Sequence, residues 1–135
     1  MILVDTNVLI DLIQADPVWA DWSQEQLDIA GLNDTVAIND IVYAELCVHY
    51  DRVEDVERMI AAVRIAMAPM PREALFLAGK AFQRHRRAGG ARTGVLADFF
   101  IGAHAAVTAS PLVTRDAGRY RYYFPGIELI TPDIH

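Results

Sequence analysis

Short apolar runs alternate along this chain with longer stretches in which apolar residues recur every three or four positions. Ile2–Val4 is an apolar run of the kind a buried parallel strand shows, and it stops at Asp5. Thr6 and Asn7 suit a helix start, and Val8, Leu9, Leu12 and Ile13 then follow at helical spacing, with Asp11 read as the solvated side of that helix. Pro17 opens a second helical stretch, 18 to about 30, with Trp19, Trp22, Leu27 and Ile29 as its apolar members. Residues 36–38 read as a second strand. Asn39 then caps a helix that carries Ile41, Val42, Ala44, Leu46 and Val48, with Glu45 among them.

Asp51 and Glu54 have capping-box spacing, and the helix they predict runs to about 63 with Val53, Val56, Met59, Ile60 and Val63 on one face. A weak third strand is expected at 65–68, and Pro71 suits the start of a long helix reaching Arg87. Beyond the glycine-rich loop of Gly89, Gly90 and Gly94, a helix over about 95–109 has Asp98 in its first turn and small residues after it. Leu112 and Val113 form a fourth strand ending at Thr114, Arg115 and Asp116, and a last strand is expected at 127–130. Strands alternating with helices predict an α/β domain, a parallel sheet of four to five short strands covered on both faces.

At 135 residues the chain is expected to be a single domain, 1–135, with a core of its own. A hydrophobic content of 53% excludes a disordered chain, and no apolar run approaches membrane-spanning length. The start lacks the pattern of a signal peptide, and the single cysteine, Cys47, suits a reducing cytoplasm, so a cytoplasmic protein is expected. The net charge of −6 argues against nucleic-acid binding by bulk charge. The charge is unevenly spread, however. Lys80, Arg84, Arg86, Arg87 and Arg92 lie in a segment without acids between Glu73 and Asp98, and Arg115, Arg119 and Arg121 cluster around Asp116.

The candidate chemistry lies in four acids. Asp5 follows the first strand, Glu45 lies in the helix after the second, Asp98 heads a helix, and Asp116 follows the fourth strand. Right-handed crossovers bring such strand ends to one edge of the sheet, so the four can converge there. Converging carboxylates repel one another and raise some pKa values unless a cation intervenes, and ligands made only of oxygen select hard ions such as Mg²⁺ or Mn²⁺. Such an ion suits phosphoryl chemistry.

Val4-Asp5-Thr6-Asn7-Val8-Leu9, Glu45 in the Asn39 helix, Asp98 followed by Ile101-Gly102-Ala103-His104-Ala105, and Thr114-Arg115-Asp116 together resemble the PIN-domain nucleases. Within that family the chain is most similar to the VapC-type toxins, the ribonuclease halves of type II toxin–antitoxin pairs. The likeness spans essentially the whole chain, including the tail from Tyr122, Phe124, Pro125 and Gly126 to Leu129, Ile130 and Pro132. It implies a PIN-like three-layer α/β/α fold and Mg²⁺- or Mn²⁺-dependent endonucleolytic cleavage of RNA. Asp5 and Asp98 would be the main metal ligands, with Asp116 and Glu45 completing the catalytic site and Asn7 and Thr114 in support. A cognate VapB-type antitoxin would block the site, and a homodimer and a toxin–antitoxin hetero-oligomer are expected. Gly102 departs from the family, which often has alanine there.

For the basic side chains two readings stand side by side. Arg86, Arg87, Arg92 and Arg115 can guide RNA to an acidic cleft, or the helical ones can simply favour a helix C-terminus. His49 shares a helix face with Glu45 but reads as a helix-end residue, and His104 as packing or surface. The rivals to a nuclease are a noncatalytic PIN-like binding module and a haloacid-dehalogenase-type phosphatase. The second wants another acid two residues after the first, and this chain has Asn7 there.

Overall fold

The computed structural model describes residues 1–90 and 96–132. Its strands are β1 (Ile2–Val4), β2 (Val36–Ile38), β3 (Ala66–Met67), β4 (Leu112–Val113) and β5 (Leu129–Ile130). They form one parallel sheet in the order β3-β2-β1-β4-β5, with Leu3 between Ala37 and Leu112. The helices are α1 (Thr6–Ile13), α2 (Ala20–Asn33), α3 (Asp40–Cys47), α4 (Val53–Ala62), α5 (Arg72–Arg87), α6 (Leu96–Thr108) and α7 (Gly118–Tyr123). This is the α/β/α layering expected from the alternation of strand and helix, with the sheet at the upper end of the expected strand count.

The three central strands are buried on both faces, while the edge strand β3 is exposed. Leu3, Val4, Ala37, Ile38, Leu112 and Val113 are all at most 2% exposed, and each run ends where a polar residue appears. From β1 the chain winds outward to β2 and β3, then returns to the other side of β1 for β4 and β5. The reversal lies between β1 and β4. At such a switch point an α/β sheet opens a crevice outside its carboxyl ends, and Asp5 and Thr114 are the residues that emerge there.

Among the described residues, helices α5 and α6 make the most extensive contact between any two elements. Ala74, Ala78 and Ala81 of α5 are fully buried, which permits close helix approach. Because the two helices are antiparallel neighbours, the arginine-rich end of α5 lies at the same end of the pair as Asp98. Phe82, His85, Phe99 and Tyr123 fill that end, with the Phe99 and Tyr123 rings 4.8 Å apart, edge to face. His85 Nδ1 lies 3.0 Å from the Tyr123 hydroxyl.

Several expectations are corrected. Helix α2 begins at Ala20, not 18, because the Asp16 carboxylate accepts from the Val18 and Trp19 amides at 2.9 Å and holds them in a turn. Ile29 faces solvent, while Ser23 is buried. The Asp51–Glu54 capping box does not form. Helix α4 starts at Val53 without a side-chain cap, and Glu54 instead accepts from Arg52 Nε at 3.3 Å. Helix α7 lies in a stretch whose sequence gave no periodicity, since six residues are too few to display one. Asp11, expected on the solvated side of α1, is 2% exposed, because Ser23 of α2 and Arg115 after β4 close over it.

Candidate active site

Asp5 is the last residue before α1 and caps it. Its Oδ1 accepts the Thr6 amide at 2.7 Å. Its backbone is held by the sheet, where its N–H donates to the Val113 carbonyl at 2.9 Å. Oδ2 accepts from the Thr114 hydroxyl at 2.8 Å and the Tyr120 hydroxyl at 2.9 Å, with Asn7 Nδ2 at 3.4 Å. A carboxylate 5% exposed keeps its charge poorly. Burial pushes the Asp5 pKa up to about 6, against the pull of the Thr114 and Tyr120 hydroxyls and with a further push from the Asp98 charge.

Around this residue the other acids gather. Asp98, in the first turn of α6, has Oδ1 3.5 Å from the Tyr120 hydroxyl, and its Oδ2 accepts from Arg119 Nη1. Burial raises its pKa, opposed by Arg119 and reinforced by Asp116. Glu45 reaches in from α3, where its Oε1 accepts the Thr6 hydroxyl at 2.6 Å. Asp116 is exposed at the rim, and its amide donates to Thr114 Oγ1 at 3.1 Å. Asp5, Glu45, Asp98 and Asp116 line one cleft of about 200 Å³, floored by Ile10 and Tyr120. Larger hollows lie elsewhere, one of about 480 Å³ beside Leu27 and Arg64, but neither size nor apolar lining gathers carboxylates as this cleft does.

The supporting side chains are interlocked. Asn7 reaches Thr114 Oγ1 at 3.4 Å and its Oδ1 accepts the Arg115 amide at 3.2 Å, so the first and fourth strand ends fix each other. Arg115 sends its guanidinium away from the cleft. Nε and Nη2 hold Asp11 at 2.6 and 2.8 Å, and the group lies over the Trp19 ring at 5.1 Å. Arg86 and Arg87 are exposed at the end of α5, beside a groove with Gly79, Phe82 and Gln83, and Arg92 lies outside the described residues. His49 is exposed beyond α3, and His104 is fully buried in packing with Nδ1 3.2 Å from Asn39 Nδ2.

Two members of the site escape sequence reasoning. Tyr120 bridges toward both Asp5 and Asp98. Its own pKa is driven well above the ordinary value by burial and then by the charges of Asp5 and Asp98, so it stays protonated and donates. In the sequence Arg119 is only one of three arginines around Asp116. Both lie on the short α7, and their spacing of three and four residues from Asp116 is the one signal that could have marked them.

Among the described residues no three His, Cys, Asp or Glu side chains stand close enough to hold one ion as they are. The donor set, four carboxylates beside Thr6, Asn7 and Tyr120 with no His or Cys in the cleft lining, nonetheless fits a hard divalent cation and would not select zinc or copper.

The PIN domain model matches residues 2–125. Among solved structures, VapBC2 from Rickettsia felis bound to a DNA fragment from its promoter is similar at a TM-score of 0.74 and 23% identity, covering 98% of this chain and 100% of that one. VapBC-1 from nontypeable Haemophilus influenzae gives a TM-score of 0.70 at 20% identity over 97% and 98% of the two chains. FitAcB from Neisseria gonorrhoeae gives 0.66 at 22% identity over 96% of each. Among curated proteins none matches the chain. No helix among the described residues is long and apolar enough to cross a membrane. With the family model matching nearly its whole length, the chain belongs to the PIN-domain family, whose members are generally nucleases.

Proposed function

We propose that this protein is a Mg²⁺- or Mn²⁺-dependent endoribonuclease, the toxin of a type II toxin–antitoxin pair, acting in the cytoplasm. The observation that carries the reading is the convergence of Asp5, Glu45, Asp98 and Asp116 on one cleft at the sheet's switch point. The likeness of the fold to VapBC and FitAcB structures supports the toxin assignment and a cognate VapB-type antitoxin, with homodimers and toxin–antitoxin hetero-oligomers as the expected assemblies.

In this reading Asp5 and Asp98 are the principal metal ligands, and Asp116 and Glu45 complete the set. A divalent ion held by these carboxylates would supply an activated water and neutralise charge on the scissile phosphate. The chain's own work is orientation. Thr114 and Tyr120 pin Asp5 Oδ2, the Thr6 amide pins Oδ1, and the Thr6 hydroxyl fixes Glu45. Asn7 ties the Thr114–Asp116 segment to α1, which keeps Asp116 at the rim where it can meet water or an ion. Arg86 and Arg87, at the same end of the α5–α6 pair as Asp98, together with Arg92, would guide the RNA backbone. Arg115 contributes by holding its loop rather than by reaching the RNA, since its guanidinium is committed to Asp11.

The test is cleavage of a structured RNA panel by purified protein with Mg²⁺, Mn²⁺ or EDTA, beside Asp5→Ala and Asp98→Ala. Metal-dependent cutting that both substitutions abolish is the expected result. Activity surviving both overturns the site, and a wild type that neither cuts nor binds metal leaves the noncatalytic module as the reading.

A further inference from the structure

Two of the site's carboxylates, Asp5 and Glu45, accept from neutral donors, and Asp98 is the exception. Asp5 is held by hydroxyls and amides, Glu45 by the Thr6 hydroxyl, and Asp116 through its backbone, whereas Asp98 Oδ2 is paired with the Arg119 guanidinium. Neutral donors orient a carboxylate and leave its charge available. A guanidinium neutralises it and occupies a lone pair, here on Oδ2, that a cation would use. The pair sits where exchange is feasible, because Arg119 is 33% and Asp98 28% exposed by side chain, so breaking it does not strand a charge out of reach of water. Arg119 also stands on the one short helix that carries Tyr120 into the same cleft, so its cation is held at the cleft and not out in solvent.

We propose that Arg119 exchanges partners during the functional cycle. In the metal-free protein it neutralises Asp98. A divalent cation arriving at the acids displaces it, and the released guanidinium then takes a phosphate of the RNA backbone. Arg119 is thereby a competitor of the metal and a substrate-binding residue in turn. The idea deepens the nuclease reading and rests on it.

The exchange predicts effects of opposite sign on two ligands, which a purely structural role for the ion pair does not. Calorimetric titration with Mg²⁺ alone compares wild type, Arg119→Ala, Arg119→Gln, Arg121→Ala and Asp98→Ala. Arg119→Gln keeps length and a hydrogen-bond donor in case the alanine variant folds poorly. Removing the guanidinium should tighten Mg²⁺ binding about three- to tenfold and enlarge the rise in Tm that Mg²⁺ produces. Arg121→Ala, which removes an exposed charge from the same helix, should change it less than about twofold. Binding of a short labelled single-stranded RNA, followed by fluorescence anisotropy in Ca²⁺, should weaken about three- to tenfold in both Arg119 variants, with a salt slope smaller by about one.

Unchanged or weaker Mg²⁺ binding in both Arg119 variants overturns the exchange. So does equal tightening in Arg121→Ala, which would reduce the effect to net charge. So does tighter Mg²⁺ binding with RNA affinity unaltered. A wild type that binds no Mg²⁺ sinks the metal-site reading and the exchange together. A wild type whose Mg²⁺ binding disappears in Asp98→Ala upholds the metal site and leaves Arg119 to be judged alone.

Discussion

Replacing Asp5 with asparagine should make the metal-free protein more stable while removing its proposed activity. The folded-state pKa of Asp5 is about 6 against an ordinary 3.8, so between those values the native state holds a proton that the unfolded chain has lost. Stability therefore falls as pH rises through that window, and above it the buried charge costs about 3 kcal/mol, at 1.36 kcal/mol per pH unit. Asparagine removes the charge at nearly the same volume. It also turns a donor toward the Thr114 and Tyr120 hydroxyls, which now donate to Oδ2, and toward Asn7 Nδ2. Both hydroxyls can rotate to accept, but refitting these bonds around an amide that must both donate and accept returns about 1–2 kcal/mol. The net expectation is a gain of about 1–2 kcal/mol at pH 7.5. Urea unfolding in EDTA measures it, and the same comparison near pH 4 should show the advantage gone or reversed, because there Asp5 is largely protonated in the native state. Mg²⁺ should stabilise the wild type and leave the variant unaffected. An asparagine variant no more stable at pH 7.5, or one with the same advantage at both pH values, would refute the burial argument.

Other perturbations follow from the same contacts. Tyr120→Phe removes one of the two close donors to Asp5 Oδ2 and should lower kcat about tenfold with little change in KM, as read by RNA cleavage kinetics. Gly102→Ala would place a Cβ 2.5 Å from Phe124 Cδ2 and 3.0 Å from Tyr120 Cδ1. It should destabilise by about 1–3 kcal/mol in thermal unfolding and, by moving Tyr120, depress cleavage as well. Arg115→Ala strands Asp11 at 2% exposure with Ser23 alone and should cost about 3 kcal/mol in urea unfolding, whereas Arg86→Ala should leave stability within about 0.5 kcal/mol.

Part of this candidate site could be read from sequence because Asp5 and Asp116 stand where strands stop. The apolar runs Ile2–Val4 and Leu112–Val113 each end in a polar residue of the cleft, Asp5 and Thr114, and parallel pairing puts both ends at one edge. What could not be read depends on contacts between distant residues. Asp11 sits beside Leu12 on a helix whose outer face ought to be wet. Its burial is decided by Arg115, 104 positions later. The same distance hid the role of Arg115, which by composition alone is one more cation near an acid. Tyr120 meets Asp5 across 115 positions, through a helix too short to announce itself. Gly102 was legible as an oddity but not as a necessity. Its missing Cβ is the space that the Phe124 and Tyr120 rings fill, so the departure from alanine and the placement of a site tyrosine are one structural fact.

That coupling bears on how a small domain can hold a charged site. Four carboxylates near one another oppose folding, and the pKa of Asp5 shows that hydrogen bonds only partly offset the burial. Pairing every acid with an arginine or lysine would relieve the strain and leave nothing to attract a metal ion. The deepest acid is instead held by uncharged donors fixed by the core, Tyr120 through Gly102 and Thr114 through the sheet. The internal cation is kept at the half-exposed acid, where it can be displaced. On the proposed reading, the burial gradient from Asp5 through Asp98 to Asp116 then has a function: rigidity where geometry must not vary, and exchange where partners must.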